Sequence, residues 1–415
     1  MKNNIVNYII ICIATVLSII GIYYSNNLKQ TIKKENIIFE EINANINELY
    51  IYGNHLNLSG SLDIDTDISS LELILLDKEE ISYNLNYEKN SEYISFNISN
   101  LKNTGINLDK INIGNYITYL KVTDTNETIK NYKLINKTNY KNTEYYTIRK
   151  EDKFNHILIN EDLSINVTES NDENIYDVVI DAGHGGIDPG ACYKGLCETD
   201  FTLTLSRKLK EKLEEYGLKV KLTRDDVNLS NIKFETYGTD GRIDRAMSSK
   251  AKYLFSFHLN SGLYSRTGTE IYTTNNINYT LAKSIVDNIV SNTNTNYSNN
   301  PVFKVLDGVY TRTFREYEIN DHIVSAGKDG YEPYPITTNT TYYYIIRETG
   351  GIMTGAYTDG REPDYNAYYN TNVGLESYIM EIGYITNPND TTDLSNNMDS
   401  YISAIADAIK DNICE

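Results

Sequence analysis

A strand that is apolar along its length has to be covered on both faces, and Val178-Val-Ile-Asp-Ala182 is close to that limit. It stops on Gly183-His-Gly-Gly186 and runs into a glycine-rich loop that carries Cys192 and Cys197. A helical segment follows, with Phe201, Leu205, Leu209 and Leu213 at helical spacing and Gly217 where such a helix stops. The alternation continues through strand 218–225, helix 242–251, strand 253–258, strand 268–274 and helix 278–293. Residues 301–370 read as a long irregular stretch that contains one more apolar strand before Arg347. Strand 375–385 and a helix from Tyr401 close the pattern. Strands alternating with helices predict an α/β unit over residues 176–415, a twisted sheet flanked by helices. In such sheets ligands gather at the carboxyl ends of the strands.

The first half of the chain reads differently. Ile5 to Tyr24 is an uncharged, almost wholly apolar run of the length that spans a bilayer core, about 20 residues. No small-residue cleavage site follows it, which favours an uncleaved anchor over residues 1–24 and a polar stalk over 25–36. Residues 37–170 hold short apolar runs of period two separated by Asn, Asp, Gly and Ser, the pattern of a smaller all-β, sandwich-like module. His55 and His156 stand alone there and are read as structural. The net charge of −19 excludes a general nucleic-acid binder, which needs a basic face.

Chemistry concentrates in the second half. His184, His258 and Glu381 each follow or end a strand, and Glu198 opens the first helix, so the topology sends all four to one edge of the sheet. Two imidazoles and a carboxylate suit zinc and leave a fourth position for water. A further carboxylate, Glu381, is then available to move the proton. The rival readings of the opening loop fare worse. A phosphate cradle needs a Lys-Ser/Thr pair opening the helix, and a Cys-based zinc knuckle needs a second Cys pair; neither is present.

The set of motifs resembles the zinc-dependent N-acetylmuramoyl-L-alanine amidases whose domain opens on a DxGHGG strand and loop. The resemblance rests on "VVIDAGHGGIDPGA" (178–191), "GLCETDFTL" (195–203), "VKLTRD" (220–225), "RIDRA" (242–246), "AKYLFSFHLNS" (251–261), "GTEIY" (268–272) and "LESYIMEIGYITNPND" (375–390), in the family's order. It implies a zinc exopeptidase-like fold and one zinc ion held by His184, Glu198 and His258, with Glu381 as the catalytic carboxylate. Arg242, Asn260 and Arg347 are the candidates for supporting the site or contacting substrate. For Arg242 a structural ion pair is the safer reading. For Arg347 a fold-stabilising salt bridge competes with pairing to a substrate carboxylate.

Cys192 and Cys197 depart from the family's usual pattern. Outside the cytoplasm they are expected to form a disulfide stiffening the loop that holds Glu198; two free thiols are the alternative. The substrate implied is peptidoglycan, with a zinc peptidase acting on stem-peptide bonds and a silent wall-binding scaffold as the rival functions. The β module is left as a spacer or as the seat of a regulatory or wall-associated partner. Lys29, Lys33 and Lys34 follow the apolar run and only Lys2 precedes it, so charge alone would put the C-terminus inside. Wall hydrolysis requires the opposite, and the expectation is a single-pass protein of the cell membrane with its catalytic domain outside.

Overall fold

The computed structural model describes residues 37–99, 105–225, 240–275, 277–329, 336–350 and 372–414. The expected anchor and stalk lie outside these residues. Among the described residues no helix is long and apolar enough to cross a membrane.

The C-terminal half is built on a seven-stranded sheet. Its strands, numbered within this sheet, are β1 (Val178–Ala182), β2 (Val220–Leu222), β3 (Tyr253–Asn260), β4 (Glu270–Thr273), β5 (Lys304–Leu306), β6 (Val309–Thr311) and β7 (Glu376–Tyr384). The spatial order is β2-β1-β3-β7-β4-β6-β5. β2, β1, β3 and β7 run parallel, and β4 turns antiparallel to β7, so the sheet is mixed.

Among the described residues six helices accompany it: α1 (Glu198–Glu215), α2 (Arg242–Ser248), α3 (Thr280–Asn292), α4 (Glu316–Asp329), α5 (Tyr344–Thr349) and α6 (Pro388–Ile413). The period of two along each strand divides the core. Val178, Ile180, Phe255, Phe257 and Met380 pack with leucines and isoleucines of α1, α3 and α6 on one face. Val179, Leu254 and Ile379 pack with Ile243, Met247, Ile345 and Ile346 of α2 and α5 on the other. This is the expected α/β sheet covered on both sides.

Two expectations need correction. The apolar segment before Arg347 is the helix α5, not a strand. A strand would send Ile345 and Ile346 to opposite faces, whereas both enter the same core cluster. The expected terminal helix through Tyr401 is present, but it is preceded by an unexpected helical segment. α6 opens at Pro388, where the Asn387 side chain accepts from the N–H groups of Asn389 and Asp390 with proline in the first turn, and it kinks at Asn397 before continuing. The stretch expected to be irregular also contains β5, β6 and α4.

Among the described residues, 44–170 contribute twelve strands and one short 3-10 turn over a core of their own, and Val373–Gly374 completes a hydrogen-bonded network of 13 strands. This network is stitched to the C-terminal half. Val373–Gly374 pairs in parallel with Ile51 and Tyr52 of the strand Ala44–Tyr52. The Ser377 N–H at the start of β7 donates to the Tyr52 hydroxyl at 3.2 Å.

Candidate active site

Three strands and one helix start bring the predicted residues together. His184 sits two residues past the carboxyl end of β1, His258 and Glu381 lie toward the carboxyl ends of β3 and β7, and Glu198 is the first residue of α1. His258 and Glu381 are register partners across β3 and β7. The four line one cleft of about 450 Å³ together with Asp188, Asn260, Ser261, Tyr343, Tyr344 and Ile345.

The loop after β1 can make this turn only with unusual backbone. His184 itself has φ 62°, and Gly185 and Gly190 have φ 128° and 65°. A Cβ on Gly183 would lie 2.4 Å from His258 Cε1, and one on Gly190 would lie 2.7 Å from His184 Cδ2 and 2.8 Å from Glu198 Cβ. The absence of side chains at these two positions is what lets the imidazoles and the carboxylate close on one another. A non-glycine residue at positive φ is strained, and such strain belongs where the surroundings fix it for a purpose.

Those surroundings are two buried arginines. Arg242 donates to Asp181 Oδ1 at 2.9 Å, to the Ala182 carbonyl at 2.7 Å and to the His184 carbonyl. Arg224 donates to the carbonyls of Ala182, Gly183 and Thr199, each at 2.9 Å. Asp181 is fully enclosed and also accepts from Ser256 Oγ at 2.6 Å and from Thr223. Burial pushes its carboxyl up, but Arg242 and the two hydroxyls outweigh this and hold it below the usual range. Arg242 is thereby bonded to the backbone and carboxylate beneath the loop that carries His184.

Around the cleft, three donor atoms form a small triangle. His184 Nε2 and Glu198 Oε1 are 3.0 Å apart, His258 Nδ1 and Glu198 Oε1 are 3.1 Å apart, and the two imidazole nitrogens are 3.1 Å apart. Tetrahedral ligands at zinc distances of ~2.0–2.1 Å stand about 3.3 Å from one another, so the donor set fits that ion in type and spacing. His184 Nδ1 is 2.7 Å from Asp188 Oδ2, which leaves Nε2 to face the triangle. Glu198 also accepts from the N–H of Leu259 at 2.8 Å and of Ala191 at 3.1 Å. Burial pushes Glu198 up, yet the His184 and His258 hydrogen bonds outweigh it and hold the carboxyl well below its ordinary value. For His184 burial is outweighed in the opposite sense, by Glu198 and Asp188, and the imidazole is held above its usual value.

Glu381 is different. Among the described residues its buried Oε2 has no hydrogen-bond partner. Burial, reinforced by the charges of Glu198 and Glu270, pushes its carboxyl well above the usual range. Glu270 is its register partner across β4 and β7, and accepts from Asn260 Nδ2 and from Tyr272 Oη at 3.1 Å. Asn260 thus holds a neighbouring carboxylate, consistent with a supporting role.

Arg347 is placed elsewhere. It is buried, donates to the carbonyls of Thr341 at 3.0 Å and Tyr342 at 2.7 Å, and lies 3.4 Å from Glu348. Among the described residues it is not one of those lining the cleft. Cys192 and Cys197 are joined in a disulfide that closes a small hairpin just before Glu198.

Four residues of the site went unassigned in the sequence: Asp181, Asp188, Arg224 and Glu270. Asp181 carried a signal, being a charge set in an otherwise apolar strand.

Residues 178–321 match the family model described as N-acetylmuramoyl-L-alanine amidase. The chain is 38% identical over 95 residues to the uncharacterized protein YqiI of Bacillus subtilis, covering 23% of this chain and 43% of that protein. It is 45% identical over 69 residues to the probable cell wall amidase LytH of Staphylococcus aureus, covering 14% and 23%. The chain thus spans less than half the length of these curated relatives. Among solved structures it is similar to the N-acetylmuramoyl-L-alanine amidase AmiC2 of Nostoc punctiforme, at 23% identity and a TM-score of 0.38, covering 58% of this chain and 98% of that one. The family match over residues 178–321, about a third of the chain, agrees with the order of the motifs in that segment.

Proposed function

We propose that this protein is a zinc-dependent hydrolase of the amide between N-acetylmuramic acid and L-alanine in peptidoglycan. His184, Glu198 and His258 hold the metal, and Glu381 carries the proton. One observation supports this reading above the rest. A buried carboxylate with an unpartnered oxygen shares a cleft with a converging His–Glu–His triangle.

When bound, zinc supplies Lewis-acid polarisation and activation of water. The residues divide the remaining work by environment. Both oxygens of Glu198 are engaged by backbone N–H groups and imidazoles, which keeps it a ligand. Glu381 lines the cleft with an oxygen that has no partner among the described residues, so it is the group placed to take the proton of the attacking water and return it to the departing alanine nitrogen. Asp188 fixes the His184 ring from outside, and Arg224 and Arg242 clamp the loop beneath it.

In this reading residues 1–24 anchor the chain in the cell membrane, 25–36 form a stalk, and the rest stands outside, where its polymer substrate is. The strands of 37–170 brace the sheet and are the place for any regulatory or wall-associated partner.

The test is digestion of purified peptidoglycan by the full chain with analysis of products. Stem peptides with new free L-alanine amino termini and peptide-free glycan are expected, suppressed by a chelator and restored by added zinc. New amino groups only on residues within the stem would show a peptidase instead. No metal-dependent release at all would leave a wall-binding scaffold.

A further inference from the structure

Two tyrosines stand beside the cleft, outside the residues that line it. With 37 tyrosines in the chain, a surface tyrosine is not by itself a signal; these two are set apart by where and how they are held. Tyr193 lies in the hairpin whose strands, Cys192–Tyr193 and Leu196–Cys197, are two residues each. Its turn takes Lys194 and Gly195 through φ 50° and 86°, the primed turn that suits a tight hairpin. So short a ladder does not order itself, and the Cys192–Cys197 disulfide closes it.

Tyr264 lies in the loop after β3, 67% exposed beside Leu263 at 72%. That loop is tied down from below. Asn387 Nδ2 donates to the carbonyls of Tyr264 at 3.2 Å and Arg266 at 2.9 Å, and the Arg266 N–H donates to the Leu263 carbonyl at 2.8 Å. The Tyr193 and Tyr264 ring centroids are 6.1 Å apart. Ala191 and Ser261, at the roots of the two loops, line the cleft, so the pair continues its edge. Tyr264 and Leu263 expose apolar surface on a pinned loop, and Tyr193 lies half-buried beside them with part of its ring packed on the core. Apolar surface held out on a pinned loop is kept ready for a ligand.

We propose that Tyr193 and Tyr264 form a sugar-binding platform that receives a pyranose of the glycan strand beside the muramoyl group being cleaved. This rests on the peptidoglycan reading above and adds a part of the polymer that the metal cleft does not touch. A pyranose offers an apolar C–H face rimmed by hydroxyls, and a phenol offers a flat apolar face with one hydroxyl and few rotors to freeze. A stem peptide offers carboxylates, which call for cations. The hairpin's one cation, Lys194, sits 5.1 Å over the Tyr193 ring, and Arg266 is turned to the Asn299 carbonyl at 2.8 Å.

The experiment measures binding of the full chain to a peptide-free oligosaccharide of alternating N-acetylglucosamine and N-acetylmuramic acid by calorimetry. Tyr193→Ala and Tyr264→Ala are each expected to weaken it about three- to tenfold, the size of one aromatic contact, while Tyr264→Phe keeps it within about twofold. In turnover, the alanine variants lose more kcat/KM on long glycan strands than on a single muramoyl peptide, through KM. Glycan affinity unchanged in both alanine variants, or weakening seen only with a sugar-free stem peptide, overturns the platform. Failure of the function reading looks different: a wild-type chain that binds glycan through these tyrosines but releases no L-alanine amino termini refutes the amidase and leaves the platform standing.

Discussion

The same three parallel strands carry charge at both ends, and the two ends treat it oppositely. At the amino ends of β1, β3 and β7 stand Asp177, Lys252 and Glu376; at the carboxyl ends stand His184, His258 and Glu381. Asp177 is 1% exposed and fully answered. Arg149 of the N-terminal half pairs with it at 2.8 Å, and the N–H groups of Arg149 and Lys219 reach it at 3.0 and 2.7 Å. Lys252 donates to the Tyr176 carbonyl at 3.3 Å, and Glu376 accepts from the Tyr378 hydroxyl. At the other end three donor atoms converge on one point and Glu381 keeps a bare oxygen. Burial alone does not mark a working site. What sets the carboxyl end apart is convergence: its imidazoles and carboxylates line one cleft, where a ligand or a proton in transit can complete them.

The contrast predicts that the two ends fail in different ways. Glu381→Gln should lower turnover by about 10²–10⁴-fold, the range for a lost general acid–base group, with zinc stoichiometry and thermal stability retained. Steady-state kinetics beside metal analysis would check it, and unchanged turnover would remove Glu381 from the chemistry. Arg149→Ala should do the reverse. It strands Asp177 in the joint and should destabilise the fold by about 3 kcal/mol or more, with full activity in whatever remains folded. Chemical unfolding measures this. For the same reason a fragment beginning after residue 170, which lacks Arg149 and Tyr52, should unfold more easily than the intact chain.

The joint should also respond to pH. Burial pushes Glu376 from its ordinary 4.5 up to about 7, so between those values the native state holds a proton that the unfolded chain releases. Stability therefore falls as pH rises through that window, by on the order of 3 kcal/mol from this group at ~1.4 kcal/mol per unit. Lys252, pushed down by burial to about 8, acts in the opposite sense above that value, where the unfolded chain binds the extra proton and stability rises with pH. Glu376→Gln should flatten the decline between pH 4.5 and 7 in urea unfolding curves. A decline that survives the substitution would assign it to another group.

What the sequence made legible follows from range. The covered sheet was readable because period two in the strands and helical spacing in Phe201, Leu205, Leu209 and Leu213 are local signals. His184, Glu198, His258 and Glu381 were readable because each sits at a strand end or helix start, and topology alone carries those to one edge. The joint was not readable. Arg149 meets Asp177, and Tyr52 meets Ser377, only through pairing between residues far apart in the chain, and no local pattern announces such a contact. Tyr344–Thr349 was misassigned because six residues are too few for periodicity to separate helix from strand.

Asp188 gives the finest cut between the two ends. It belongs to the loop, not to the triangle, and its carboxylate holds His184 Nδ1 at 2.7 Å while its other oxygen accepts from the Gly190 N–H at 3.0 Å. One residue thereby fixes both the ring orientation of a ligand and the left-handed turn that brings Glu198 close. If the carboxyl end of the sheet is organised for a cation, Asp188→Asn should weaken zinc binding about 10–100-fold, as loss of an outer partner of a ligating imidazole does. Stability of the metal-free chain should move little, since Asp188 is half exposed and asparagine can still accept from Gly190. Competition against a chromophoric chelator reads the first quantity and unfolding of the metal-free protein reads the second. Equal zinc affinity in the variant would mean that the backbone clamps of Arg224 and Arg242 suffice to aim His184, and the loop carboxylate would then be a matter of turn geometry alone.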